Sequence, residues 1–256
     1  PGPIFHDDPP LALRWTGHDV QGLGMDAFLD LNLARDAQAL ELAVDRLPLP
    51  TTNVTYADVH GVIGFRTAGL LPVRRSGRGL VPRSGADPDS GWDGYVPALA
   101  MPRSQDPGSG FLAAANARVA ADGPLVSADN APGYRMRRLR DVLQPPGTLT
   151  LDDMQRLQLD WYNPQAAGLL PGLLAAIEAA SLDPLAARAR QTLTAWQQTP
   201  HNEPGAAGAA IFEYWYLALA DEVLGHRLPP ALVERVRSRN YLLNHALDRI
   251  LLYAGS

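Results

Sequence analysis

The stretch NVTYADVHGVIGFRTAG, residues 53–69, alternates and then turns. Val54 and Tyr56 are separated by small or polar neighbours, and VHGV leads the chain back into Ile63 and Phe65. A period of two on either side of a Gly-containing turn predicts a β-hairpin. The surrounding sequence is rich in Pro and Gly, and its apolar runs are short: LALRWTG (11–17) upstream and GFLAAAN (110–116) downstream. SGFLAAANARV (109–119) reads as the end of a buried strand running into a loop. One helical pattern interrupts, MDAFLDLNLARDAQALELAVDRL (25–47), which is expected to break near Arg35–Asp36 with Asp36 as the N-cap of its second half.

Beyond residue 133 the periods lengthen. TLDDMQRLQLDWYN (150–163) opens on Thr150 with Asp153 three residues later, a helix-start pattern, and places Met154, Leu157 and Trp161 on one stripe. Further helices are expected over 166–180, 184–198, 208–225 and 230–253, punctuated by Pro164, Pro171, Pro184, Pro200 and Pro230. Strands first and helices afterwards imply an α+β arrangement, divided into 1–132 and 133–256, and not alternating βαβ units.

Composition excludes several classes. The 256 residues carry a net charge of −5, which gives no support to nucleic-acid binding, since that would want a basic face. No run approaches the ~18 to 20 apolar residues of a membrane span. With no cysteine there is no disulfide, thiolate metal site or cysteine nucleophile. The six histidines include no i,i+4 pair and no HExxH, so the reading assigns no metal ligand. SGRG (76–79) lacks the Lys of a phosphate loop, and no G-x-S-x-G elbow surrounds any serine. The chain opens on PGPIFHDDPP without an initiator Met, which suggests a processed or excised piece.

Asn116 stands out in its alanine-rich run. From the residues alone two readings stay open: an Asn suited to a turn, or an amide aimed at a reacting oxygen.

Seven blocks in register carry a resemblance: LALRWTGHD (11–19), NVTYADVHGVIGFRTAGLLPVR (53–74), GWDGYVP (91–97), MPRSQDPGSGFLAAANARV (101–119), YRMRRLRDVL (134–143), LTLDDMQRLQLDWYNPQAAGLLPGLL (149–174) and EPGAAGAAIFEYWY (203–216). In order and spacing they resemble the β-subunit of the penicillin amidase family. The resemblance implies part of the αββα sandwich of N-terminal nucleophile hydrolases, with a helical C-terminal portion. It implies an enzyme, a linear-amide hydrolase made as a zymogen by autoproteolysis, whose new N-terminal Ser attacks an amide carbonyl while its α-amino group takes the proton.

In that family the Ser opens the β-subunit, upstream of Pro1, so this segment alone is expected to be inactive. Its partners would be the α-subunit, the rest of the β-subunit and a small N-acyl substrate such as a penicillin (antibiotic chemistry) or an acyl-homoserine lactone (quorum quenching). No nucleic acid or membrane partner is expected, and the location would be periplasmic or extracellular.

Residue by residue, the resemblance makes Asn116 half of an oxyanion hole, although the Asn that usually follows is Ala117 here. Arg135 matches an arginine that orients the nucleophile's α-amino group. The alternative for Arg135, Arg137, Arg138 and Arg140, a solvated helix face, suits the last three better. Trp15 and Thr52 match positions lining the acyl pocket, where an aromatic such as Trp15 also reads as core. No cofactor is required. A structural calcium is allowed, with Asp122 and Asp129 in the right interval but without clean spacing, and with a shorter SGRGLVP loop (76–82). The reading from a different class is a binding or interaction module that keeps the amidase fold without its chemistry.

Overall fold

Strands fill the first part of the chain and helices the second. The computed structural model describes residues 4–8, 10–20, 24–119, 122–144 and 147–253. They fall into two units, Pro1–Asn130 and Ala131–Ser256. In chain order the first contains β1 (Ile4–Asp7), β2 (Pro10–Ala12), α1 (Met25–Leu33), α2 (Ala37–Arg46), β3 (Thr52–Ala57), β4 (Ile63–Ala68), β5 (Pro72–Arg74), β6 (Trp92–Tyr95) and β7 (Arg103–Gln105). The second contains α3 (Tyr134–Leu143), α4 (Leu151–Gln158), α5 (Pro164–Ala176), α6 (Pro184–Trp196), α7 (Ala207–Gly225), α8 (Pro230–Arg237) and α9 (Asn240–Tyr253).

The hairpin forms as expected. β3 and β4 pair antiparallel from Thr52↔Ala68 to Ala57↔Ile63, and β7 pairs with the other edge of β4. Asp58 closes the turn: its carboxylate accepts from the His60 and Val62 amides at 2.9 and 3.0 Å, and from the Ala37 amide at 3.3 Å, tying the turn to the start of α2. These bonds, that from Val62 foremost, hold the Asp58 carboxyl below its ordinary range. Gly64 is required by close approach, because a Cβ there would lie 1.9 Å from the Tyr56 ring.

One face of the sheet is covered by α2. Ala27, Val44, Leu47 and Ala68 form the core, with Leu31, Leu40 and Val54 against it. Asp36 caps α2 by accepting from the Ala39 amide, as its sequence position implies. Glu41 and Asp45, four residues apart on one helix face, both meet the buried guanidinium of Arg66 on β4. The Tyr56 hydroxyl donates to Glu41 at 2.6 Å. Burial depresses the Arg66 pKa while Glu41 opposes the fall, and burial followed by Glu41 raises that of Tyr56.

GFLAAAN (110–116) is not a strand. β7 stops at Gln105 because Asp106 turns into the left-handed region (φ 43°), where its carboxylate accepts from the Ile63 amide at 2.9 Å. Gly110 at φ 74° then keeps the segment irregular. Three small alanines supply too little side chain to pull it into a sheet. LALRWTG likewise leaves its strand at Ala12 and forms a 3-10 turn over Thr16–His18.

The helical unit packs round Leu170, Leu193, Phe212, Tyr216, Ala220 and Leu247. Thr150 and Asp153 form the reciprocal capping box, while Asn163 and Asp183 cap α5 and α6. A buried carboxylate, Asp248, accepts from Tyr134, Gln165 and Tyr216, and so links α3, α5 and α7 to α9.

Three expectations fail here. The helix over 230–253 is two helices, interrupted where the Ser238 hydroxyl bonds back to the Arg235 carbonyl at 2.9 Å. Trp161 lies past the end of α4, in a turn where Asp160 accepts from the Tyr162 amide. Arg138 is not on a solvated face: it is half-buried, grips Asp160 through two nitrogens at 2.5 and 3.2 Å, and lies 4.5 Å from the Tyr162 ring centre.

Candidate active site

Three of the four residues singled out from sequence converge on two adjoining cavities of the first unit. The larger role falls to the loop that follows β7. Asn116 adopts φ 55°, the left-handed conformation that Asn tolerates better than other side chains with a Cβ. Buried Ala115 precedes it, and Asn116 is exposed at the wall of a cavity of about 350 Å³. Thr52 and Asn53, at the start of β3, line the same cavity, with Arg118, Ser127 and Asp129 among its other polar residues.

The β3 side is rigid for identifiable reasons. Thr67 donates to the Asn53 side chain at 2.9 Å, and the Thr67 amide bonds Pro102 O at 2.9 Å. Gly69, at φ 101°, passes so close to Thr51 that a Cβ would lie 2.5 Å from Thr51 Cα. Any side chain at position 69 would therefore displace the segment that carries Thr52. On the loop side, Ser127 organises its own turn: its hydroxyl accepts from the Asp129 amide at 3.0 Å and its carbonyl from Asn130 at 3.1 Å.

A second cavity, about 330 Å³, shares Thr51, Leu125, Val126 and Ser127 with the first, so the two adjoin. Trp15 lines it. The indole is half-exposed, packs edge-on against His18 with ring centres 5.5 Å apart, and covers Gly17, where a Cβ would come within 2.5 Å of it. Trp15 is thus a cavity wall and not core. Sequence reasoning missed four other residues of this cavity, Arg14, Arg74, Arg78 and Trp92. Their signal, arginines flanking tryptophan or glycine, is too common to single out a site.

Arg135 belongs to the other unit, where it is exposed at the second position of α3. Among the described residues no group of three or more His, Asp or Glu side chains is arranged to hold a metal ion. Asp122 and Asp129 do not make a calcium site by themselves. Among the described residues no helix is long and apolar enough to cross a membrane.

Comparison with known proteins places this geometry in context. The family model for penicillin amidase matches residues 1–253. A penicillin acylase 2 proenzyme from Pseudomonas sp. (strain SE83) is 31% identical over 201 residues, 76% of this chain and 26% of that protein. The acyl-homoserine lactone acylase QuiP of Pseudomonas syringae pv. tomato is 36% identical over 116 residues, 45% of this chain and 14% of that protein. In structure the chain is similar to a thermostable penicillin G acylase from Alcaligenes faecalis, with a TM-score of 0.72 at 21% identity, covering 91% of this chain and 44% of the other. The match therefore spans less than half the length of each of these proteins.

Proposed function

The chain belongs to the penicillin amidase family, and from that premise we propose that it is the oxyanion-binding and acyl-binding part of an enzyme that hydrolyses a linear amide. The supporting observation is Asn116, held in a left-handed turn at a cavity wall that it shares with Thr52. In this reading the carbonyl carbon of the substrate is attacked by an N-terminal Ser supplied from outside Pro1–Ser256. The Ser proton passes to its own α-amino group, whose ordinary pKa near ~8 suits a base at neutral pH. Negative charge then develops on the carbonyl oxygen, and the Asn116 amide N–H donates to it. Such a donor, set ~2.7 to 3.1 Å from the oxyanion, contributes on the order of 3 to 4 kcal/mol to the transition state.

The tetrahedral intermediate collapses by breaking the C–N bond, and the protonated α-amine returns its proton to the leaving amine. Water then attacks the acyl-Ser ester by the same route, releasing a carboxylic acid. Thr52 and Trp15 would line the path of the acyl group, and Arg135 would orient the α-amino group. The two curated relatives named for penicillin acylase and acyl-homoserine lactone acylase support small N-acyl compounds as substrates. The name proenzyme supports release of the nucleophile from a precursor, with the α-subunit and the remaining β-subunit as partners; the location in this reading is periplasmic or extracellular.

Intact mass and N-terminal sequencing of the full-length gene product test the proposal. Two fragments, the larger opening on Ser and containing SGFLAAANARV, are expected. A single unprocessed chain without amidase activity would refute it and leave a module that keeps the fold without the chemistry.

A further inference from the structure

The charged residues lining the second cavity are all cationic: Arg14, Arg74 and Arg78. Four other arginines of the same unit are matched with acids: Arg46 with Asp30, Arg66 with Glu41 and Asp45, Arg75 with Asp93 and Arg83 with Asp87. Among the described residues no carboxylate pairs with Arg14, Arg74 or Arg78. The contrast is sharpest at Arg74 and Arg75, adjacent in sequence, of which only Arg75 has an acidic partner.

What positions two of these guanidiniums is an aromatic ring. Arg14 Cζ lies 4.3 Å and Arg74 Cζ 5.7 Å from the Trp92 ring centre. A cation–π contact fixes a guanidinium without neutralising it, and leaves its N–H edge available to an anion. Two such groups beside one ring repel each other, and an anion between them would relieve that repulsion. The rest of the lining carries no charge: Thr16, Thr51 and Ser127 are neutral polar groups, and Leu71, Leu80 and Trp15 are among its apolar ones.

We propose that this cavity is a carboxylate-binding subsite, in which Arg14 and Arg74 hold the free carboxylate of an N-acyl substrate whose scissile amide lies at Asn116. The inference rests on the amidase reading and deepens it. The two cavities adjoin at Thr51 and Ser127, and in this proposal one small molecule reaches from one into the other. A carboxylate matches the planar, bidentate geometry of a guanidinium. It could stand at the far end of the acyl chain or on the amine released.

The mature full-length protein is assayed with three compounds: hexanoyl anilide as the neutral reference, adipoyl mono-anilide with the carboxylate on the acyl arm, and N-hexanoyl-4-aminobenzoate with it on the amine arm. One of the two acids is expected to exceed the reference in kcat/KM by about tenfold or more, since a charge-assisted bond of this kind accounts for a factor of that order. Arg14→Gln and Arg74→Gln should each lower that ratio by about tenfold, with partial return in Arg74→Lys. The favoured acid identifies the arm.

Equal kcat/KM for acids and reference, or a preference unchanged in both variants, overturns the subsite. Calorimetric titration of the two acids decides the matter independently of turnover. Binding weakened in both variants supports the subsite even if none of the compounds is hydrolysed, an outcome that would count against the amidase reading alone. Absent binding, or binding equal in wild type and variants, overturns it.

Discussion

Replacing Asn116 by Ala and, separately, by Gly distinguishes what its backbone does from what its amide does. At φ 55° the residue sits where a side chain with a Cβ costs roughly 1 to 2 kcal/mol relative to Gly, a penalty that Asn partly escapes. Ala pays that penalty and lacks the amide, whereas Gly relieves the strain and lacks it equally. Asn116 is exposed, so neither change opens a core cavity. Asn116→Ala should therefore lower the melting temperature slightly, and Asn116→Gly should leave it close to wild type. In kcat the two should agree: loss of one oxyanion donor removes about 2.7 to 4 kcal/mol, or roughly 10²- to 10³-fold. The assay is kcat on a chromogenic N-acyl substrate with the processed full-length enzyme, beside thermal melts of both variants. An Asn116→Gly enzyme retaining most of its kcat would show that the residue serves only the turn, and would refute the oxyanion argument.

Other consequences concern stability. Arg66→Met leaves Glu41 and Asp45 facing each other without the buried cation that both contact, so it should destabilise by on the order of 3 to 5 kcal/mol, read as a lower urea midpoint. Asp248→Asn keeps the shape but turns an acceptor towards the Tyr134, Gln165 and Tyr216 donors into an N–H donor. The expected cost is about 1 to 3 kcal/mol, seen in thermal unfolding. Asp153, held at about 2 by its bonds from Thr150, lies below its ordinary value of 3.8. A depressed carboxylate stabilises the fold fully above ~pH 4, and that contribution is lost as pH falls towards 2. An NMR titration of Asp153 should show this midpoint, and Thr150→Val should move it up towards 3.8.

Much of this was legible because it is local. The period-two alternation of 53–69, the Asp36 cap and the Thr150–Asp153 box each involve residues within a turn or two of one another, and each forms as read. Failures occur where a local pattern met a competing bond. Residues 110–116 have strand-like composition, but Asp106 had already taken the Ile63 amide and turned the chain away. Arg138 has the spacing of a solvated face, yet Asp160, 22 residues later, folds back to it.

By itself the sequence determined that strands precede helices, where most helices start, and, through seven blocks in register, which family the chain resembles. Hydrophobic period and capping chemistry act over a few residues, so they survive being read one residue after another. Only the tertiary structure decided that Asn116 is both a turn and a cavity wall, so that the two readings of it are not exclusive. It alone brought Thr52 to the loop after β7, and Arg14 to Trp92 across nearly 80 residues of chain. No period or cap records such meetings, because they arise from how irregular loops close over a sheet.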